Sequence, residues 1–284
     1  MLCIYYTLAP IRAIVAITTV IGFALCGYIN GFMTARILKF FKLSDWKTSA
    51  IISACIFPAY VLLTLSLGDI IESAMGSSAA VPFSEGLLHY LFWWVLDGPA
   101  AAYGAYKGYM APLELNPEVG KIQRTIPTMP WYLRRWAIMG LYGPVIFATI
   151  FFEFEYIMDS IWRSFMIYGM FVIVFISLLM MGVTIASLSI AVTYKSLSKG
   201  NYDWWWNSFC LGASGGLYMW LYSFYYLFIN EDYSLFGADF LYFLTMTLIS
   251  ACFGFMCGSM SVLSSYLFVE RIYNTAAQGE FTKF

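Results

Sequence analysis

Thirteen of the fifteen Lys and Arg residues of this chain fall into alternate gaps between seven long apolar stretches, and two fall outside that set. The stretches cover residues 13–35, 48–68, 86–106, 136–154, 165–194, 209–228 and 240–269. A helix needs roughly 20 apolar residues to cross the hydrocarbon core, where no water satisfies backbone N–H and C=O groups. These runs are longer and more continuous than the alternating strands of about 10 residues that build a membrane barrel. The expected fold is therefore all-α, a polytopic transmembrane helix bundle of about seven spans within a single transmembrane domain, residues 1–284. The two stretches of 30 residues leave length for tilt or for helix outside the bilayer. Composition agrees: the chain is 61% hydrophobic and 11% charged, with a mean hydropathy of +0.75, whereas soluble domains carry about 25% charged residues.

The charges set a direction. Arg36, Lys39, Lys42 and Lys47 lie between the first two stretches, and Lys107, Lys121, Arg124, Arg134 and Arg135 around the gap between the third and fourth. Lys195 and Lys199 separate the fifth from the sixth, and Arg271 and Lys283 follow the seventh. Only Arg12 and Arg163 are left for the opposite side. Positively charged loops stay cytosolic, so the N-terminus is expected in the lumen or outside and the C-terminus in the cytosol. Asp69, Glu72, Glu85, Asp159, Glu231, Asp232 and Asp239 fall on the opposite side, in agreement, although acids carry little topological weight. Trp46, Trp131, Trp136, Trp162 and the run Trp204-Trp205-Trp206 sit near predicted span ends, the level that indole prefers. The first stretch leads into Asn30, Gly31 and Arg36 rather than a small-residue cleavage site, so it does not read as a secretory signal.

Motifs for chemistry are few. There is no P-loop, dinucleotide fingerprint or H-E-x-x-H pattern. Cys26, Cys55, Cys210, Cys252 and Cys257 lie inside apolar stretches without C-x-x-C or metal-site spacing, and read as small apolar residues. A net charge of −1 and the lack of a nucleic-acid motif argue against a nucleic-acid partner. No catalytic residue, metal or cofactor is expected, and no enzyme.

Gly212-Ala213-Ser214-Gly215 matches the G-x-S-G pattern of rhomboid proteases, but a serine nucleophile needs a base in reach. The single histidine, His89, precedes the serine, whereas rhomboids place theirs in a later helix. Small-residue packing is the better reading. Four G-x-x-x-G patterns begin at Gly27, Gly104, Gly212 and Gly254. Glycine lets helix backbones approach closely where lipid supplies no hydrophobic drive between helices. Gly212, Gly215, Gly216, Gly254 and Gly258 are therefore candidates for helix packing or for a groove that takes a client helix. Asp97 and Glu153 are the candidate polar groups at membrane depth, which by default mark ion or proton paths. Asp97 precedes Gly98-Pro99, where a broken helix is expected, and Glu153 falls near the outer end of the fourth stretch.

Several segments, in order, resemble a known family. They are Gly27-Tyr28, Ala35-Arg36, Trp46-Lys47-Thr48 and the block Gly76-Ser77-Ser78-Ala79-Ala80-Val81-Pro82-Phe83. Trp93, Pro99, Gly104-Ala105-Tyr106, Gly108, Ile126-Pro127, Trp204-Trp205-Trp206, Leu217-Tyr218 and Arg271-Ile272-Tyr273 continue the pattern. Together they resemble the nonaspanins, also called the transmembrane 9 superfamily or endomembrane protein 70 family. The resemblance implies a nine-span plan with a large lumenal N-terminal domain, of which the seven stretches are the last seven. On that plan the lumenal domain and first two spans are absent from this sequence. It also implies a Golgi or endosomal location, association with the sorting of other membrane proteins, and the lipid bilayer and client transmembrane proteins as partners.

Two departures accompany it. Many family members end in a K-x-D type tail, and this chain ends Gly279-Glu280-Phe281-Thr282-Lys283-Phe284. Where the family is expected to carry an acid before the tryptophan run, this chain has Ser187. The alternative function is a small-solute or ion transporter or channel using Asp97 and Glu153. Topology is open to direct measurement. A glycosylation acceptor inserted between residues 231 and 235 should be modified in microsomes, and one inserted between 199 and 203 should not. Modification at the second position alone reverses the expected orientation.

Overall fold

The computed structural model describes residues 21–22, 24–39, 46–74, 76, 83–112, 125, 127–162, 170–230 and 236–281, and within them every regular element is helical. Helix α1 covers 24–39. It is followed by α2 (Trp46–Ala74), α3 (Phe83–Met110), a 3-10 turn (Trp131–Leu133), α4 (Arg135–Ala148), α5 (Phe151–Trp162), α6 (Met170–Ser198), α7 (Trp205–Asn230) and α8 (Phe236–Phe281). Among the described residues three helices are long and apolar enough to cross a membrane: Trp46–Ala74, Val174–Ser198 and Asp239–Thr275. A bent pair, Arg135–Ala148 with Phe151–Met158, makes a fourth if counted as one span. The side chains presented outward are those a bilayer solvates: Ile56, Val95, Phe152, Val183 and Phe228 are all exposed. At 46 residues α8 is about 70 Å long, more than twice the hydrocarbon thickness, so part of it lies beyond the core.

Two expectations about helix continuity are corrected. The predicted break at Gly98-Pro99 does not occur, and α3 runs through Pro99. Proline removes one backbone donor, and α3 continues through it with Gly27 and Gly31 of α1 closely apposed to Asp97 and Ala101 on either side. The fourth stretch, 136–154, is not one helix: α4 and α5 meet at 67°. Thr149 donates its N–H and its hydroxyl to the Ile146 carbonyl, at 3.3 and 2.7 Å, and Ile150 N–H reaches Phe147 O at 3.1 Å. These i→i−3 bonds tighten the last turn of α4 and end it. Tyr222 of α7 fills the elbow, its ring 5.1 Å from Phe151, 5.6 Å from Phe147 and 5.9 Å from Phe154. Edge-to-face and tilted ring pairs of this kind add about 0.5–1.5 kcal/mol each beyond area burial.

The chain forms two compact units, Met1–Glu118 and Val119–Phe284. In the first, α1 and α3 present glycines to each other. A Cβ on Gly31 would overlap the Ala101 carbonyl, one on Gly104 the Tyr28 carbonyl and one on Gly108 the Phe32 carbonyl. Ser53 of α2 donates to Asn30 Oδ1 of α1 at 2.9 Å, and its hydroxyl lies 3.2 Å from that of Thr34. At the end of α1, Lys39 Nζ donates to the carbonyls of Tyr109 and Ala111, each at 2.7 Å. These acceptors sit at the C-terminus of α3, so Lys39 satisfies groups that the helix itself leaves open and complements its dipole. Trp46 stacks on Tyr109 with ring centroids 4.8 Å apart.

The second unit is built around α7, which packs against α4 and α8 over a core that includes Ile138, Ile146, Met181, Ile185, Leu211, Tyr226 and Met246. The link from α6 to α7 is fixed by its turn chemistry. Gly200 adopts φ +78, its N–H bonds Leu197 O at 2.9 Å, and Asn201 N–H bonds Ser196 O at 3.0 Å. That pair is the Schellman closure, in which a residue in the left-handed region ends the helix. Asn201 then accepts from Asp203 N–H at 2.9 Å and leads the chain into the tryptophan run. Because a Cβ is disfavoured at this φ, Gly200→Ala should lower stability by about 1–2 kcal/mol in a detergent unfolding assay. An unchanged midpoint would refute the turn as described.

Candidate functional site

Close contact between α7 and α8 is the feature from which the candidate site is built. A Cβ on Gly212 would overlap the Cys257 carbonyl oxygen and sit 2.7 Å from Ser261 Cβ. One on Gly216 would lie 2.5 Å from Gly254 Cα and 2.6 Å from Ser250 O. From α8, a Cβ on Gly258 would lie 2.7 Å from the Phe209 ring. Gly212, Gly216, Gly254 and Gly258 thus meet across one interface. Gly215 turns elsewhere: a Cβ there would lie 2.8 Å from Ile146 of α4. A Cβ on Gly143 of α4 would overlap the Tyr218 ring and lie 2.9 Å from the Ser214 hydroxyl oxygen.

With the backbones this close, small hydroxyls from three helices meet. Ser189 of α6 lies 3.0 Å from Ser208 Oγ of α7 and donates to Ser261 O of α8 at 2.7 Å. Ser208 donates to Ser261 O at 2.9 Å and lies 2.8 Å from Ser265 Oγ. Ser261 donates to Ser208 O at 2.6 Å, and Thr193 lies 2.8 Å from Ser265. All five side chains are buried. These oxygens are at hydrogen-bonding separations, so the cluster satisfies itself and ties α6, α7 and α8 together. Sequence reasoning missed it. The available signal was the four-residue spacing of Ser189 with Thr193 and of Ser261 with Ser265, which puts each pair on one helix face.

Outside that interface the same two helices leave a lateral groove of about 380 Å³. Its floor is small, made by Ala213, Gly216, Ser250, Ala251 and Gly254, and Phe209, Leu217, Trp220 and Phe255 rise around it. Trp220 is held by a 3.0 Å bond from its indole N–H to Thr247 Oγ1. Of the five glycines singled out from the sequence, Gly216 and Gly254 line this groove. Gly212 and Gly258 lie in the α7–α8 contact, and Gly215 on α4.

The remaining sequence candidates are placed as follows. Asp97 is half-buried on α3, and its carboxyl occupies the space that a side chain on Gly27 would need. Glu153 is half-buried in the first turn of α5, where the positive end of the helix dipole favours an acid. It therefore belongs to the start of a half-helix rather than to the outer end of a continuous span. Asp97 lies in the first unit and Glu153 in the second. Ser214 is buried and donates to Leu211 O at 2.5 Å. Ser187 is exposed and bonded to its own helix at Val183 O, 2.8 Å. Gly76 is an exposed turn residue at φ +66, and Phe83 begins α3. Ser77, Ser78, Ala79, Ala80, Val81 and Pro82 lie outside the described residues. Trp204 is buried and stacks on Trp205 at 4.0 Å, while Trp206 is exposed and meets Phe209 edge-on.

Comparison with known proteins gives a consistent result. Residues 1–236 match the family model described as Endomembrane protein 70. Transmembrane 9 superfamily member 4 of Arabidopsis thaliana is 30% identical over 266 residues, 90% of this chain and 43% of that protein. Member 10 of the same plant is 29% identical over 252 residues, 88% of this chain and 39% of the relative. Homo sapiens member 4 is 27% identical over 252 residues, again 88% and 39%. The chain thus spans about two fifths of the length of these curated relatives. No solved structure matches.

The hydroxyl cluster makes a quantitative prediction. Ser189→Ala removes the hydroxyl's bonds to Ser208, Ser261 and Ser265 and should lower stability by about 0.6–1.7 kcal/mol, the range for interhelical hydrogen bonds in membranes. Ser187→Ala, two residues away on the exposed side of the same helix, should stay within about 0.5 kcal/mol. Equal effects in a reversible unfolding assay would show that the cluster contributes nothing.

Proposed function

The chain belongs to the endomembrane protein 70 family, and on that premise we propose that it assists the sorting of other membrane proteins by holding their transmembrane segments in the α7–α8 groove. It is an integral, multi-pass membrane protein. The proposal extends this to about seven spans in this chain, a cytosolic C-terminus and residence in Golgi and endosomal membranes. It acts by binding rather than catalysis.

The observation that carries the reading is the groove itself. Its floor of Ala213, Gly216, Ala251 and Gly254 carries only small side chains, and Leu217 and Phe255 beside it are exposed. Association between helices in lipid depends on van der Waals contact, and small side chains allow a second backbone to come close enough for it. The aromatic rim gives a guest helix large surfaces to pack against without a polar group to leave unsatisfied. Whatever the longer relatives do through the rest of their length is outside this proposal.

A photo-crosslinking residue at Leu217, which is on the rim and exposed, should capture peptides from transmembrane segments of other membrane proteins. Ala251→Phe fills the floor without entering the glycine contact, and should reduce that capture by about ten-fold, the effect of roughly 1.4 kcal/mol. Capture of the protein's own spans alone, or capture indifferent to Ala251→Phe, would rule the groove out. The transporter alternative draws on Asp97 and Glu153 at membrane depth. It is removed if Asp97→Asn with Glu153→Gln leaves solute and ion flux in vesicles unchanged.

A further inference from the structure

A second cleft opens between α6 and α8, with a volume of about 1110 Å³. One part is apolar. Ala186 and Ile190, four residues apart on α6, face Leu267 and Phe268 of α8, and Tyr194 sets its ring edge-on to Phe268 at 6.5 Å. The other part is polar and is supplied by α8 alone, through Glu270, Arg271 and Asn274. From Ser264 to Thr275 the α8 wall rises about 16 Å. The Thr275 hydroxyl is turned back to Arg271 O at 2.9 Å, so it bonds its own helix rather than the cleft.

An apolar wall that ends in charged groups has the polarity profile of a lipid lying along a helix pair, chain inward and headgroup at the interface. The two charges decide which lipid. Arg271 is exposed and Glu270 half-buried, and among the described residues neither makes an ion pair. A purely anionic headgroup would satisfy the guanidinium and be repelled by the neighbouring carboxylate. A headgroup that carries both a phosphate and a primary ammonium satisfies both, with charge-assisted hydrogen bonds at each end.

We infer that the α6–α8 cleft is a binding site for a zwitterionic, amine-bearing glycerophospholipid. Its phosphate is held by Arg271, its ammonium by Glu270 and an acyl chain lies along Ala186, Ile190 and Leu267. The site lies on a different helix pair from the α7–α8 groove and does not rest on the sorting proposal. Lipid held here would complete the surface where α8 leaves the side of α6, since α6 ends at Ser198 and α8 continues to Phe281. Basic residues at the membrane interface are the usual means of headgroup recognition, and the adjacent acid is what narrows the class.

The test is native mass spectrometry of the purified chain released from nanodiscs of mixed phosphatidylethanolamine and phosphatidylglycerol. One phosphatidylethanolamine should be retained in preference to phosphatidylglycerol by about three- to five-fold, as expected for partly exposed ion pairs. Arg271→Ala should reduce retention of both lipids by a similar factor. Glu270→Gln should abolish the preference while leaving phosphatidylglycerol bound. Both residues are at the surface, and an unchanged size-exclusion profile verifies that each variant is folded. A photo-crosslinker at Leu267 should label lipid in the same nanodiscs. No retained lipid, equal retention of the two lipids by the wild type, insensitivity to Arg271→Ala, or crosslinking from Leu267 to protein only would each overturn the site.

Discussion

The contact between Gly216 and Gly254 is the constraint on which the second unit depends. In lipid, two helices gain nothing by hiding apolar surface from each other, so association must come from van der Waals contact and hydrogen bonds at short range. A Cβ at residue 216 has no room, because Gly254 Cα would lie 2.5 Å away. The same approach at Gly212 brings α8 close enough for Ser261 and Ser265 to reach Ser208 and Ser189. Backbone proximity and hydroxyl bonding are therefore successive consequences of one choice of residue. The lateral groove follows too, since its floor is the outer edge of the same contact.

The first unit solves the problem by a related route. Reciprocal glycines on α1 and α3 set their separation, and Asn30, Thr34 and Ser53 tie α1 to α2. Lys39 adds what an apolar helix end lacks, a donor for the terminal carbonyls of α3. A basic residue that reads in the sequence as a topology marker is also a structural cap. In each unit a subset of polar side chains holds helix to helix while others, such as Thr64 and Thr184, bond carbonyls of their own helix, in keeping with the cost of leaving such groups unpaired away from water.

The all-helical character was legible in the sequence because long apolar runs are one-dimensional signals. The glycine pairs were legible as spacing, although spacing alone does not say which helix each faces: Gly215 goes to Ile146 of α4 and Gly216, its neighbour, to Gly254 of α8. The hydroxyl cluster was not read, because Ser189, Ser208 and Ser261 are single weakly polar residues in apolar surroundings whose meeting depends on tertiary register. A break is expected from the sequence at Gly98-Pro99 of the third stretch, where α3 runs on, and 136–154 reads as one span, where α4 and α5 part. The real break at Thr149 is a local competition for the Ile146 carbonyl, supported by the Tyr222 ring, and neither is visible without the neighbouring helix. The lateral groove was anticipated as a class of feature, and the structure assigns it to Gly216 and Gly254 with an aromatic rim.

The proposed sorting role draws on this economy. A chain that uses glycine and serine to join its own helices has, at the edge of that joint, a surface of the same kind left uncovered, and a foreign helix can be recognised there by the same physics. The central claim is that glycine proximity is what makes the hydroxyl bonding possible. A double-mutant cycle between Gly212→Ala and Ser208→Ala, read by reversible unfolding in detergent, tests it most directly. The account predicts that the two losses are sub-additive by about 1 kcal/mol, because spreading α7 from α8 already breaks the bonds that the second change removes. Full additivity would contradict it.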